Sequence, residues 1–145
     1  MPGFPWLPAL GIALMLGLLP GCKRDPPEQA LRKTIATMQA AAEAGDTDAL
    51  FAPIAEDFAG SEAMDRQAFR RYVMVLRLRN AKVSVTLGPI DVKLYGDRAS
   101  ADFTAALAGG AGQLPERARV YSISTGWRLE GSQWKLISAR WDDQP

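Results

Sequence analysis

The chain predicts an α+β domain in which three N-terminal helices pack on a curved antiparallel sheet. Two observations carry that expectation. Apolar residues recur at helical spacing up to about Leu76, and from Ala81 the period becomes two. Short turn signals then cut the second half into strand-length pieces. The 145 residues suffice for one domain.

The helices come first. Asp25 is the expected cap of the first, with a proline at the first helical position and Glu28 three residues on. Leu31, Ile35, Met38 and Ala42 form its apolar stripe, and Gly45 ends it. Asp46-Thr47-Asp48 offers a second cap, leading a shorter helix with Leu50, Phe51 and Ile54 that Pro53 disturbs. The third helix starts at Asp65, with Met64 and Phe69 placed as a hydrophobic staple. Phe69, Tyr72, Val73 and Leu76 are its apolar stripe. Arg66, Arg70 and Arg77 share a second stripe, which suits a solvated face or an anionic lipid surface.

The strands follow. Val83, Val85 and Leu87 alternate with polar residues, as do Ile90, Val92 and Leu94. Gly96 and Asp97 make a turn before Ala99, Ala101, Phe103, Ala105 and Leu107 on one strand face. Glycines and a proline mark Ala108–Arg117 as a loop. Two further strands, about 118–129 and 134–141, meet at a tight turn over Glu130-Gly131-Ser132. In the last one strict alternation puts Trp134 and Trp141 on opposite faces, which suits a homodimer packed through the outer sheet surface.

Composition narrows the chemistry. Seventeen Lys and Arg balance sixteen Asp and Glu, so no charge bias points to nucleic acid. Histidine is absent, which removes the commonest general base and metal ligand. No metal-ligand cluster, phosphate-binding glycine motif or cofactor signature is present in the sequence.

The N-terminus reads differently from the rest. Ala9–Leu19 is an eleven-residue apolar run, too short to span a bilayer and suited to the core of a signal peptide. Leu19-Pro20-Gly21-Cys22 resembles the bacterial lipobox. That resemblance implies removal of residues 1–21, lipidation of Cys22, and a short tether over 22–27 ahead of a domain spanning 28–143. It further implies a membrane-anchored lipoprotein of the cell envelope facing the periplasm. Lys23 after the cysteine implies the outer membrane by the enterobacterial sorting rule.

The order of elements, together with Ala41–Gly60, resembles the nuclear transport factor 2-like superfamily. This superfamily has a cystatin-like cone and includes SnoaL-like and ketosteroid-isomerase-like proteins. The resemblance implies a curved sheet around a conical pocket. Phe58, Tyr72, Phe103, Tyr121 and Trp127 are the expected pocket lining, fitted to a small apolar ligand. Members include isomerases and dehydratases that use an aspartate in the cone. Asp57 and Asp102 are the weak candidates here, and no complete catalytic set transfers, since both histidine and a first-helix tyrosine are missing. The expectation is therefore a non-catalytic lipoprotein that binds a small apolar ligand or a protein partner in the cell envelope, with an isomerase or dehydratase type of enzyme as the alternative.

Overall fold

A computed structural model describes residues 24–110 and 117–144, with Gly3 alone before them. The leader, Cys22 and the loop core at 111–116 lie outside the described residues. Three α-helices, α1 (Pro27–Ala44), α2 (Thr47–Phe51) and α3 (Arg66–Arg79), pack with a six-stranded sheet. The strands are β1 (Ile54–Gly60), β2 (Lys82–Leu87), β3 (Asp91–Tyr95), β4 (Arg98–Gly110), β5 (Arg117–Glu130) and β6 (Gln133–Asp143). The sheet order is β1-β6-β5-β4-β2, and β3 also pairs with β4. Among the described residues no helix is long and apolar enough to cross a membrane.

Local chemistry sets most boundaries. The Asp46 carboxylate accepts the Ala49 N–H at 3.0 Å and that of Asp65 accepts the Ala68 N–H at 2.7 Å, so both predicted caps form. Gly45 ends α1 at φ +72°, where a side chain would be strained. Asp25 does not cap α1. The cap position is Pro26, and Asp25 instead accepts a hydrogen bond from Lys33 at 2.7 Å. Pro27 at the first helical position removes one of the N–H groups that would otherwise lack an intrahelical partner.

The sequence reading missed one strand. Ile54 does not continue the second helix; Pro53 ends it, and Ile54–Gly60 becomes β1, lying parallel to β6. The helices therefore do not all precede the strands, and the sheet is not wholly antiparallel. The predicted loop at 108–117 is shorter too, because β4 runs to Gly110 and β5 begins at Arg117.

β2 and β3 share one edge of β4, pairing with 105–110 and 98–102 respectively. Gly88-Pro89-Ile90 bridges them, where Pro89 lacks the N–H a continuous ladder would need. A second irregularity lies in β6. Gly126 pairs with Ser138 and Trp127 with Leu136, so Ile137 is the extra residue of a β-bulge. The bulge shifts the alternation by one. Trp134, Leu136, Ala139 and Trp141 all face the interior, and the expected placement of the two tryptophans on opposite faces is corrected.

The core fills the lower cone. Leu31 and Ile35 of α1, Phe51, Ile54 and Phe58 meet Ala99, Ala101, Trp127, Trp134 and Leu136 of the sheet. The small β4 alanines make room for the indoles: Ala99 lies opposite Trp127. Each buried indole contributes about 4–6 kcal/mol of apolar burial before entropy is counted. Its polar atom is matched as well. Trp127 Nε1 donates to Thr125 Oγ1 at 2.7 Å, and that hydroxyl donates to the Ala101 carbonyl at 2.6 Å. Trp134 Nε1 donates to the Pro27 carbonyl at 2.9 Å, tying the start of α1 to β6.

Candidate functional site at the open end of the cone

The predicted pocket residues separate into two groups. Phe58 and Trp127 are each 2% exposed and belong to the filled base, where no ligand can enter without repacking. Phe103 is half-buried against that core. Tyr72 and Tyr121 stand at the open end, around an open groove of about 620 Å³ between α3, the turn after β1, and the ends of β5 and β6.

Three structural features build this groove. Trp141 stands on one wall, fixed by an aromatic stack. Its ring centroid lies 5.4 Å from Phe69, and Phe69 lies 5.4 Å from Phe58 and 5.3 Å from Phe51. The Trp141 N–H donates to Ser61 Oγ at 3.0 Å, holding the turn after β1 against β6. In that turn Glu62 and Ala63 adopt φ +57° and +58°, a left-handed conformation unusual for residues with a side chain, and Glu62 borders the groove. Opposite them, Arg119 Nη1 pairs with Asp143 Oδ2 at 3.1 Å. Both lie on the inner face, because Tyr121 registers opposite Asp143 and Leu107 opposite Arg119.

The electrostatics follow from this packing. Partial burial, then the Asp143 charge and Tyr72, raise the Tyr121 phenol above its ordinary value, with Arg119 opposing. Tyr121 is therefore a neutral phenol at physiological pH, able to donate as well as accept. The groove thus offers aromatic area from Tyr72, Tyr121 and Trp141 within a mostly polar lining, where Glu62, Arg140 and Asp142 join the solvent-exposed Arg119–Asp143 pair. A second open groove, bounded by Ala118, Arg119, Val120, Asp143 and Gln144, shares that pair.

Neither candidate carboxylate faces the cone. Asp102 is exposed, opposite Ser124 and Asp91 on the outer face. Asp57 lies on β1, not at a helix end, and both its oxygens accept from Arg128, at 2.8 and 2.9 Å. That hydrogen-bonded guanidinium holds the Asp57 carboxyl below the usual carboxylate value. Such an acid is a weak base and sits on the wrong side of the sheet. Among the described residues no group of acidic, histidine or cysteine side chains could hold a metal ion.

The arginine stripe of α3 turns inward. Arg66 donates to the Ile54 and Phe51 carbonyls at 3.1 and 2.9 Å and lies over the Phe51 ring. Arg70 pairs with Asp48 and covers the same ring, 5.5 Å from its centroid. Arg77 lies against Gly45, so a Cβ there would collide with its guanidinium. Arg66 and Arg70 thus tie α3 to α2 and β1, and Arg77 lies beside the turn after α1.

Sequence reading missed Arg119 and Asp143. Their parity with Tyr121 was visible for Arg119, but Asp143 reaches the same face only because the β6 bulge has shifted the register.

No protein-family model matches the sequence, and no curated protein matches it significantly. Solved structures do match in shape. An NTF2-like protein of unknown function from Pseudomonas putida KT2440 is 21% identical, with TM-score 0.68, over 79% of this chain and 84% of that one. A candidate dehydratase of the NTF2-like family from Streptomyces avermitilis is 14% identical, with TM-score 0.72, over 82% and 97%. Bd1075 of Bdellovibrio bacteriovorus is 13% identical with TM-score 0.72, and this chain covers 40% of its length. The fold is thus that of the NTF2-like, cystatin-like cone proteins. At these identities the likeness establishes architecture alone.

Proposed function

We propose that the chain is a non-catalytic, lipid-anchored binding module of the cell envelope, facing the periplasm. In this reading it takes a small ligand with an apolar body and a polar end in the groove at the open end of the cone. The observation that carries it is the juxtaposition of Tyr72, Tyr121 and Trp141 with the Arg119–Asp143 pair, above a base already filled by Trp127 and Trp134. The aromatic rings supply contact area, and the ion pair with the Tyr121 phenol supplies orientation. The anchor rests on the lipobox resemblance at Cys22. An isomerase or dehydratase acting through Asp57 or Asp102 has less support, since one is held ionised by Arg128 and the other points outward.

The test begins with native mass spectrometry of the domain from Lys23 onward, compared with its denatured mass. A retained, displaceable adduct is expected. The dye 1-anilinonaphthalene-8-sulfonate, an apolar body with an anionic end, then serves as a probe. Tyr72→Ala and Arg119→Ala should each weaken it by about fivefold or more, as expected for losing one aromatic or charged contact. Unchanged affinity in both variants would remove the groove from consideration.

A further inference from the structure

The solvent side of α3 carries an uncovered apolar stripe. Its inward residues, Phe69 and Val73, already pack on the core. Yet Met74, Val75 and Leu78 are 51%, 45% and 88% exposed on the opposite side. With Arg71 they fall at i, i+3, i+4 and i+7, one continuous stripe. A helix apolar on both sides is ordinarily covered on both.

Charge identifies the cover. Residues 66–90 contain six cations, Arg66, Arg70, Arg71, Arg77, Arg79 and Lys82, and no Asp or Glu. Arg66 and Arg70 are engaged by partners on α2 and β1, and Arg77 lies half-buried against Gly45. Arg71, Arg79 and Lys82 remain exposed, within and beside the apolar stripe. Two α3 helices packed on each other would bring these like charges together with no acid in the segment to offset them. A surface that is apolar within and negative at its boundary meets both requirements. Basic amphipathic helices lie on membranes in this way, with apolar side chains below the headgroups and long cationic ones reaching back to them.

We propose that the outer face of α3 docks on an anionic phospholipid bilayer. Met74, Val75 and Leu78 enter the interface, and Arg71, Arg79 and Lys82 meet lipid phosphates. This contact is independent of the groove. It would give a tethered domain a fixed orientation, since a single flexible attachment leaves rotation free.

The experiment is vesicle co-sedimentation of the domain from Lys23 onward, which carries its own core and no acyl chain. Vesicles are phosphatidylcholine alone or phosphatidylcholine with phosphatidylglycerol. Binding is expected on the anionic vesicles, weakened by added salt. Leu78→Glu should reduce it by at least about tenfold, and Arg71→Gln and Arg79→Gln by about fivefold each. Leu78 is almost fully exposed, so its replacement leaves no cavity. Leu94→Glu, at an exposed apolar site on β3, should leave binding unchanged. Equal binding to neutral vesicles, no binding, or retention in Leu78→Glu would overturn the proposal. So would a Leu78-dependent dimer without vesicle binding, which would assign the face to a second copy. Loss of dye binding in the groove variants with vesicle binding intact separates the two proposals.

Discussion

Arg128 grips Asp57 with both arms of its guanidinium, Nη1 to Oδ2 at 2.8 Å and Nη2 to Oδ1 at 2.9 Å, and also holds Glu130 at 3.1 Å. The contact ties β1 to β5 although β6 lies between them in the sheet. It makes a local network of one cation and two carboxylates on the outer side of the sheet.

This arrangement predicts an acid-side dependence. The folded Asp57 carboxyl titrates below its ordinary value of 3.8. A lowered folded pKa contributes stability that is present above the unfolded value and is lost as pH falls through the folded one. Thermal midpoints of the native domain should therefore decline below about pH 3.8 more steeply than those of Asp57→Asn. Parallel acid limbs would show that the pair contributes nothing, as many exposed ion pairs do.

Among the described residues Thr125 is the one buried polar residue, and its hydroxyl serves both Trp127 and the Ala101 carbonyl. Thr125→Val keeps the shape but strands the indole N–H in the core. Urea denaturation should register a loss of about 1–3 kcal/mol. Thr125→Ser keeps the hydroxyl and should recover a large part of that difference. If valine and serine behave alike, packing rather than the hydrogen bond governs the site.

The bulge at Ile137 gives a deletion test. Removing Ile137 joins Leu136 to Ser138 and leaves regular alternation, with Trp134 and Trp141 still inside. The shortened protein should fold with blue-shifted tryptophan emission, though with less local twist. Inserting one residue after Ser138 should instead turn Trp141 outward, break the stack with Phe69 and red-shift the emission. Unfolding on deletion of Ile137 would mean that the bulge supplies curvature the fold requires.

Some of the architecture was legible because local chemistry dictates it. Asp46 and Asp65 cap helices through their own side chains. Alternation from Ala99 to Leu107 marks a half-buried strand, since side chains on a pleated strand point alternately. β1 was not legible. Phe51 and Ile54 share helical spacing, and only pairing with β6 makes Ile54–Gly60 a strand. The site was half legible: Tyr72 and Tyr121 reach the groove, whereas Phe58 and Trp127 pack the base.

By itself, the sequence determined an α+β domain, the caps of α2 and α3, and the apolar faces of the strands predicted before β6. These depend on neighbours within a turn or a strand. Tertiary structure decided the rest. It turned Arg66 onto carbonyls and Arg66 and Arg70 onto an aromatic ring, laid Arg77 against Gly45, and left Met74, Val75 and Leu78 in the open. It also brought Trp141 and Asp143 to the face of Tyr121. The physical reason is register: one extra residue in β6 reverses every side chain after it, and that residue is placed by pairing with β5, which the alternation of β6 alone does not reveal.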